Sequence, residues 1–205
     1  MIYHRFYEAP EDDIAALIAN STAGRLITVG DNGTPHVGVF PFLHPAGRIE
    51  VHLAEGDEQL ADLRRGSSCV FEIGDLLAYV PSYWEDEHNA SGADIYHRTV
   101  VVEGTAELAS DADTVAEHLR SLLSRYQPEG RYVAVDAGNE MYARMMQRLT
   151  VVRLTIGRLR SKFKLGQQRP VEMRQRIIAE LRQRNLPADP TAAEAVARTL
   201  ATAGR

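Results

Sequence analysis

The sequence predicts a mainly β fold with added helices, built as an antiparallel barrel rather than a doubly wound sheet. Three observations carry this. Apolar-alternating segments follow one another through tight-turn signals, as in RLITVG (25–30), DNG (31–33), TPHVGVFPFLH (34–44) and PAG (45–47). Helical periodicity comes in separate blocks and does not alternate regularly with strands, as βαβ units would require. No GxGxxG follows a strand and no Walker A run exists, so the phosphate-cradling folds built on those loops are set aside.

Each element has a local reason. PEDDIAALIAN (10–20) is expected as a helix, opened by Pro10 and carrying three acids in its first turn, where the helix dipole favours them. RLITVG is a strand, and DNG is a strong hairpin turn. In RIEVHLAEGDEQLADLRR (48–65), Ile49, Val51 and Leu53 alternate with Glu50, His52 and Ala54. A histidine therefore sits mid-strand, away from the apolar stripe. DEQLADLRR (57–65) is a helix N-capped by Asp57 and ending near Gly66. SSCVFEIG (67–74) and LLAYVPSYW (76–84) read as two strands joined by a Gly-Asp turn, and the polar segment 85–94 reads as a loop. DIYHRTVVVEGTAELAS (94–110) is a long strand, with Gly104 marking a bend or bulge. Helices are expected over 111–126 and 139–149, a last long strand over 150–165, and terminal helices over 170–185 and 191–204. There is no internal repeat and no low-complexity segment.

The chain has 205 residues, enough for one compact domain with a few appended helices. A net charge of -5 and a pI near 5.8 make a poor footprint for nucleic acid, which needs a basic face to displace counterions. No helix-turn-helix signature offsets that, so a nucleic-acid partner is not expected. Cys69 is the only cysteine, which excludes an intrachain disulfide, a Cys-based zinc site and a CxxC redox motif. The start, MIYHRFYEAPEDD, lacks the pattern of a signal peptide, and no apolar run reaches about 18 residues. The cytoplasm is the default expectation, with no membrane partner. No HExxH spacing and no GxSxG elbow occur.

Several segments, taken in order, resemble one family. GRLITVGDNGTPHVGVFPFL, VHLAEGDEQLADL, CVFEIGDLLAYVPSYW, VVVEGTAEL and SKFKLGQQR resemble PaiB-like proteins, with the run from Lys162 to Gln167 the most specific piece. The resemblance covers most of residues 1–185 and leaves 186–205 as a C-terminal helical tail. It implies a six-stranded antiparallel split β-barrel of the FMN-binding type, forming a homodimer with its cofactor between the barrels. Some relatives carry FMN and some act as negative transcriptional regulators. The haem-dependent piperazate synthases resemble the same family and join two nitrogens of N-hydroxyornithine. The chain departs from the family at HLAEGDEQ, where a basic residue and an asparagine are replaced. Val39 stands at a second family histidine, and ADIYHRT (93–99) replaces a Pro-Thr-Trp-Asn-Tyr run.

The resemblance implies the site. His52 lies on the strand whose outer face meets the cofactor, and a neutral imidazole is a common axial ligand of haem. His52 is therefore expected to bind the metal. Glu55, Asp57 and Glu58 crowd the corner where a flavin phosphate would sit and would repel it, although Arg64 or Arg65 could turn back towards it. Tyr79 is expected as a proton relay, with Tyr83 and Trp84 walling the pocket. Lys162 and Lys164 flank Phe163 and share one strand face, placed to meet a haem propionate or a substrate carboxylate or to move a proton; Gln167 adds an amide. His36 and His97 are weaker candidates, while His4, His44, His88 and His118 are expected at the surface or in loops. The expected cofactor is haem, with FMN as the alternative. The expected activity is chemistry on an N-oxygenated amine or amino acid, including N–N bond formation. The alternative is a flavin oxidoreductase or regulator.

Overall fold

The computed structural model describes residues 3–66 and 68–202. Its elements in order are α1 (Glu11–Asn20), β1 (Gly24–Val29), β2 (Pro35–Phe40), β3 (Arg48–Ala54), α2 (Glu58–Arg64) and β4 (Cys69–Val80). Then follow β5 (Asp94–Ala109), α3 (Ala112–Tyr126), α4 (Glu140–Met146), β6 (Leu149–Lys164), α5 (Val171–Arg184) and α6 (Asp189–Thr202). The expected strand start at Ser67 and the expected helix end at 203–204 lie outside the described residues. The strands form one six-stranded antiparallel sheet in the order β2-β1-β4-β5-β6-β3. The hairpin of β1 and β2 turns at Gly33, whose φ of 80° a side chain would resist. β3 returns to pair with β6 in antiparallel register.

Two expectations change. No turn separates residues 67–74 from 76–84: β4 runs straight through Gly74 and Asp75. The Asp75 carboxylate accepts both guanidinium hydrogens of a fork from Arg98 on β5, with Nε–Oδ1 at 3.0 Å, and that pairing holds the Gly-Asp step extended. The only trace of the expected turn is a slip in the buried–exposed alternation over Gly74–Leu76. Gly104 is needed for a close approach within the ladder: a Cβ there would lie 1.8 Å from the Thr155 carbonyl oxygen.

The chain divides into two compact units. One comprises Met1–Leu17, Gly74–Val100 and Arg160–Arg205. Its core holds Tyr7, Leu17, Trp84, Tyr96, Phe163 and Leu165, with Ile177, Leu181 and Val196 between α5 and α6. The other comprises Ile18–Ile73 and Val101–Leu159. There Leu26, Phe42, Ile49, Val51, Leu53, Leu60 and Phe71 are buried, with the Phe42 and Phe71 rings meeting edge-on at 5.3 Å. A second cluster, Val115, Ala116, Leu119, Val135, Met146 and Val151, seats α3 and α4. Each such side chain contributes roughly 1.5–3 kcal/mol by leaving water, so both faces of the β3–β6 ladder are tied down.

Candidate functional site

The register of β3 against β6 sets Glu50 opposite Arg153 and His52 opposite Val151. Helix α3 packs on that same face. Val115, Leu119 and Leu122 form its buried stripe, and helical spacing places His118 among them. His118 is therefore buried, at 3% exposure, and not on the surface as expected. The same spacing in the sequence was the signal that could have found it.

His118 and His52 meet directly. His52 Nδ1 lies 3.1 Å from His118 Nε2, with the rings edge-on at 76°. On its far side, His118 Nδ1 lies 3.6 Å from Glu50 Oε2. Glu50 is itself buried and lies within ion-pair distance of Arg48 Nε at 2.7 Å and Arg153 Nε at 3.4 Å, without a hydrogen bond to its Oε1. Burial, followed by the charge His52 would carry, pushes the His118 imidazole down to about 4. Burial also lowers His52. Both rings are thus neutral near pH 7. At 3.6 Å Glu50 makes no hydrogen bond to His118 Nδ1, which is buried without one, but the adjacent carboxylate favours the tautomer that carries the His118 proton on Nδ1. His118 Nε2 then accepts the Nδ1 proton of His52, which leaves a bare lone pair on His52 Nε2. That nitrogen has no protein partner among the described residues.

The acidic corner after β3 is closed by ion pairs. Arg64 forks onto Glu55, with Nη1–Oε2 at 3.0 Å. Arg65 Nη2 holds Asp62 Oδ1 at 2.5 Å, and Asp57 caps α2 through the Gln59 amide at 2.8 Å. Asp62 is the buried hub: its Oδ2 accepts from Thr28 Oγ1 at 2.6 Å and meets His36 Nδ1 at 2.7 Å. Burial opposes its charge, but the bonds from Thr28, His36 and Arg65 together hold its carboxyl below the usual range. The sequence showed Asp62 only as a helix position. Both arginines that could have served a phosphate here are already engaged by carboxylates.

The remaining expected residues lie in the other unit. Lys162 and Lys164 alternate with buried Phe163, as strand geometry requires. Lys164 Nζ is ion-paired with Asp94, and Lys162 Nζ sits 5.3 Å from the Tyr7 ring centroid. His97, bonded to Thr99 at 3.0 Å, has its pKa lowered by burial and then by the two lysines. Gln167 folds back on its own turn: its amide donates to the Phe163 carbonyl at 2.5 Å and accepts from the Leu165 amide at 2.8 Å. Tyr79 is 58% exposed, and its backbone carbonyl takes Arg184 at 2.8 Å. Trp84 is buried under the Arg184 guanidinium, while Tyr83 is exposed and edge-on to Trp84. Among the described residues, no group of three or more metal-ligating side chains could hold an ion unaided.

Comparison with known proteins gives the lineage. A conserved protein of Mycobacterium tuberculosis, Rv2991, superposes with a TM-score of 0.61 at 24% identity, covering 83% of this chain and 94% of that one. The FAD and haem binding protein from Mycobacterium smegmatis gives 0.63 at 18% identity, over 78% of this chain and 74% of that one. HutZ, the haem storage protein from Vibrio cholerae, gives 0.52 at 16% identity, over 76% and 96%. These likenesses show a shared split-barrel fold. No curated protein matches the sequence. The model of the family described as "Putative FMN-binding domain" matches residues 1–158. With a sheet of split-barrel type and a family match over most of its length, the chain belongs to that FMN-binding-domain family.

Proposed function

We propose that this protein is a haem-binding member of its family, in which His52 would supply the protein nitrogen to the iron. The observation that supports this best is the buried contact of His52 Nδ1 with His118 Nε2 at 3.1 Å, with Glu50 next to His118. A ligating histidine ordinarily donates its other ring N–H to a fixed acceptor, which sets the tautomer and raises the basicity of the ligating nitrogen. His118 supplies that acceptor at 3.1 Å, and it stays neutral because it is buried. The donor set fits a group that needs one protein nitrogen, since a porphyrin supplies four more. It fits no bare metal site. The pairing of Arg64 with Glu55 and of Arg65 with Asp62 disfavours a phosphate at the corner after β3.

Haem would supply redox and Lewis-acid chemistry; the chain would do the rest. His52 Nε2 would hold the group, His118 Nε2 would keep the His52 proton on Nδ1 by accepting it at 3.1 Å, and the Glu50 carboxylate would bias the His118 tautomer electrostatically. By family resemblance, the substrate class is an N-oxygenated amine or amino acid, with N–N bond formation as the reaction. Family resemblance also names Tyr79, Lys162 and Lys164 as proton carriers for that chemistry; all three lie in the other unit, and Lys164 is ion-paired with Asp94. The family description and the flavin-binding neighbour from M. smegmatis support a second reading, FMN or FAD in place of haem.

The test is haem titration of wild type, His52→Ala and His118→Leu, followed by absorbance. His52→Ala should lose the wild-type Soret band, with partial recovery in free imidazole. His118→Leu should bind roughly 10–100-fold more weakly, the usual cost of removing a hydrogen-bond partner behind a ligand. An unchanged spectrum in His52→Ala would put the ligand elsewhere.

A further inference from the structure

A second feature lies wholly within the unit that contains α5 and α6. A groove of about 330 Å³ opens there, with an apolar wall that includes Phe6, Ala9, Phe163, Leu165 and Ala195. That is the lower end of the range for small-molecule sites. Arg174 of α5 lines it and is only 5% exposed. Its Nη1 donates to the carbonyl and hydroxyl oxygens of Thr199, both at 3.1 Å. Its Nε is buried with no partner, and among the described residues no carboxylate pairs with the guanidinium. A buried cation without a counter-charge is costly, and its persistence points to an anion that the chain itself does not supply.

The open edge specifies the anion. In a guanidinium, Nε–H and the neighbouring Nη2–H point the same way and form the fork that a carboxylate fits with both oxygens. Thr199 occupies Nη1 and leaves that fork unused. The other arginines of the groove are engaged: Arg98 by Asp75 and Arg198 by Asp13 at 3.0 Å. Glu8 and Glu194 also line the groove without pairing Arg174, and they would oppose a ligand carrying more than the single charge that the Arg174 fork can hold. One unpaired cation therefore calls for one negative charge, and the apolar wall calls for a hydrocarbon or aromatic body. We propose that this groove binds a small amphipathic monocarboxylate, with its head on Arg174 and its body against Phe6, Phe163 and Leu165. The site stands on its own observations and does not depend on the haem reading.

The probe is 4-phenylbutyrate, with 4-phenylbutanamide and inorganic phosphate as controls, titrated into the protein as purified and followed by amide NMR shifts. The acid should bind with shifts centred on Phe163–Gln167 and Thr191–Thr199. The neutral amide and phosphate should each bind at least tenfold more weakly. Arg174→Met, close in length and apolar, should fold and lose tenfold or more in affinity for the acid. The wild-type comparison of acid with amide holds whether or not that variant folds. Equal binding of acid and amide, tighter binding of phosphate, shifts elsewhere, or full affinity in a folded Arg174→Met would each overturn the proposal.

Discussion

At the scale of single residues, two histidines, His52 and His118, form the candidate site. His52 was legible in the sequence, because strand alternation set it opposite Ile49, Val51 and Leu53, and those three are indeed buried. Its partners were not: Glu50 is 68 positions from His118 in the chain, and only tertiary packing of α3 on β3 brings them together. The role of Lys164 was half legible. Its strand face followed from alternation, but its counter-ion, Asp94, sits at the start of a different strand. The buried histidine has a consequence for stability. His118 faces Glu50, His52 and Arg153, and its imidazole is pushed from 6.5 down to about 4, first by burial. Between those values the unfolded chain takes up a proton that the folded chain refuses. Stability from this group is therefore complete above pH 6.5 and falls as pH drops towards about 4. Urea midpoints measured from pH 7.5 to 4.5 should decline in wild type, and the decline should be shallower in His118→Gln. Parallel profiles for the two proteins would assign the acid sensitivity to other groups.

At the scale of elements, local chemistry made most boundaries readable. Asp57 was legible as an N-cap, and it accepts the Gln59 amide hydrogen at 2.8 Å. Gly66, just past α2, has a φ of 78°, the left-handed conformation that ends a helix. Gln59 adds what a cap signal cannot show: its side chain donates to the Leu26 carbonyl at 2.8 Å and ties α2 to β1. Asp57→Ala should cost about 1 kcal/mol, read from denaturant midpoints at unchanged slope. The Gly-Asp step in β4 misled because turn composition is a local preference, and the Arg98 fork on Asp75 overrides it. Gly104 was read as a bend for a similar reason; a glycine in a strand also marks close backbone approach. Gly104→Ala puts a Cβ 1.8 Å from the Thr155 carbonyl. Forcing that group into the ladder should cost roughly 1–3 kcal/mol or more. Wild-type stability in that variant would mean that β5 and β6 are less tightly apposed than described.

At the scale of the whole molecule, the antiparallel class was legible; the turn signals alone gave seven strands by splitting β4, and only the family resemblance implied six, while the order β2-β1-β4-β5-β6-β3 was not legible, because turn signals fix hairpins but not the return of β3 to β6. Assembly is the next question. Val37 and Val39 on β2 are 61% and 65% exposed, and in the other unit Leu76 is 75% exposed. These are exposed apolar positions on the sheet strands against which a second copy would pack. If the homodimer implied by family resemblance forms, light scattering at micromolar protein should give twice 22.8 kDa. A single-chain mass would remove the basis for a cofactor shared between copies. The cofactor is read from the absorbance spectrum of the protein as purified, repeated after haem reconstitution. A Soret band that shifts on reduction is the predicted result. Paired flavin bands with stoichiometric bound FMN, and no Soret band after reconstitution, would contradict it.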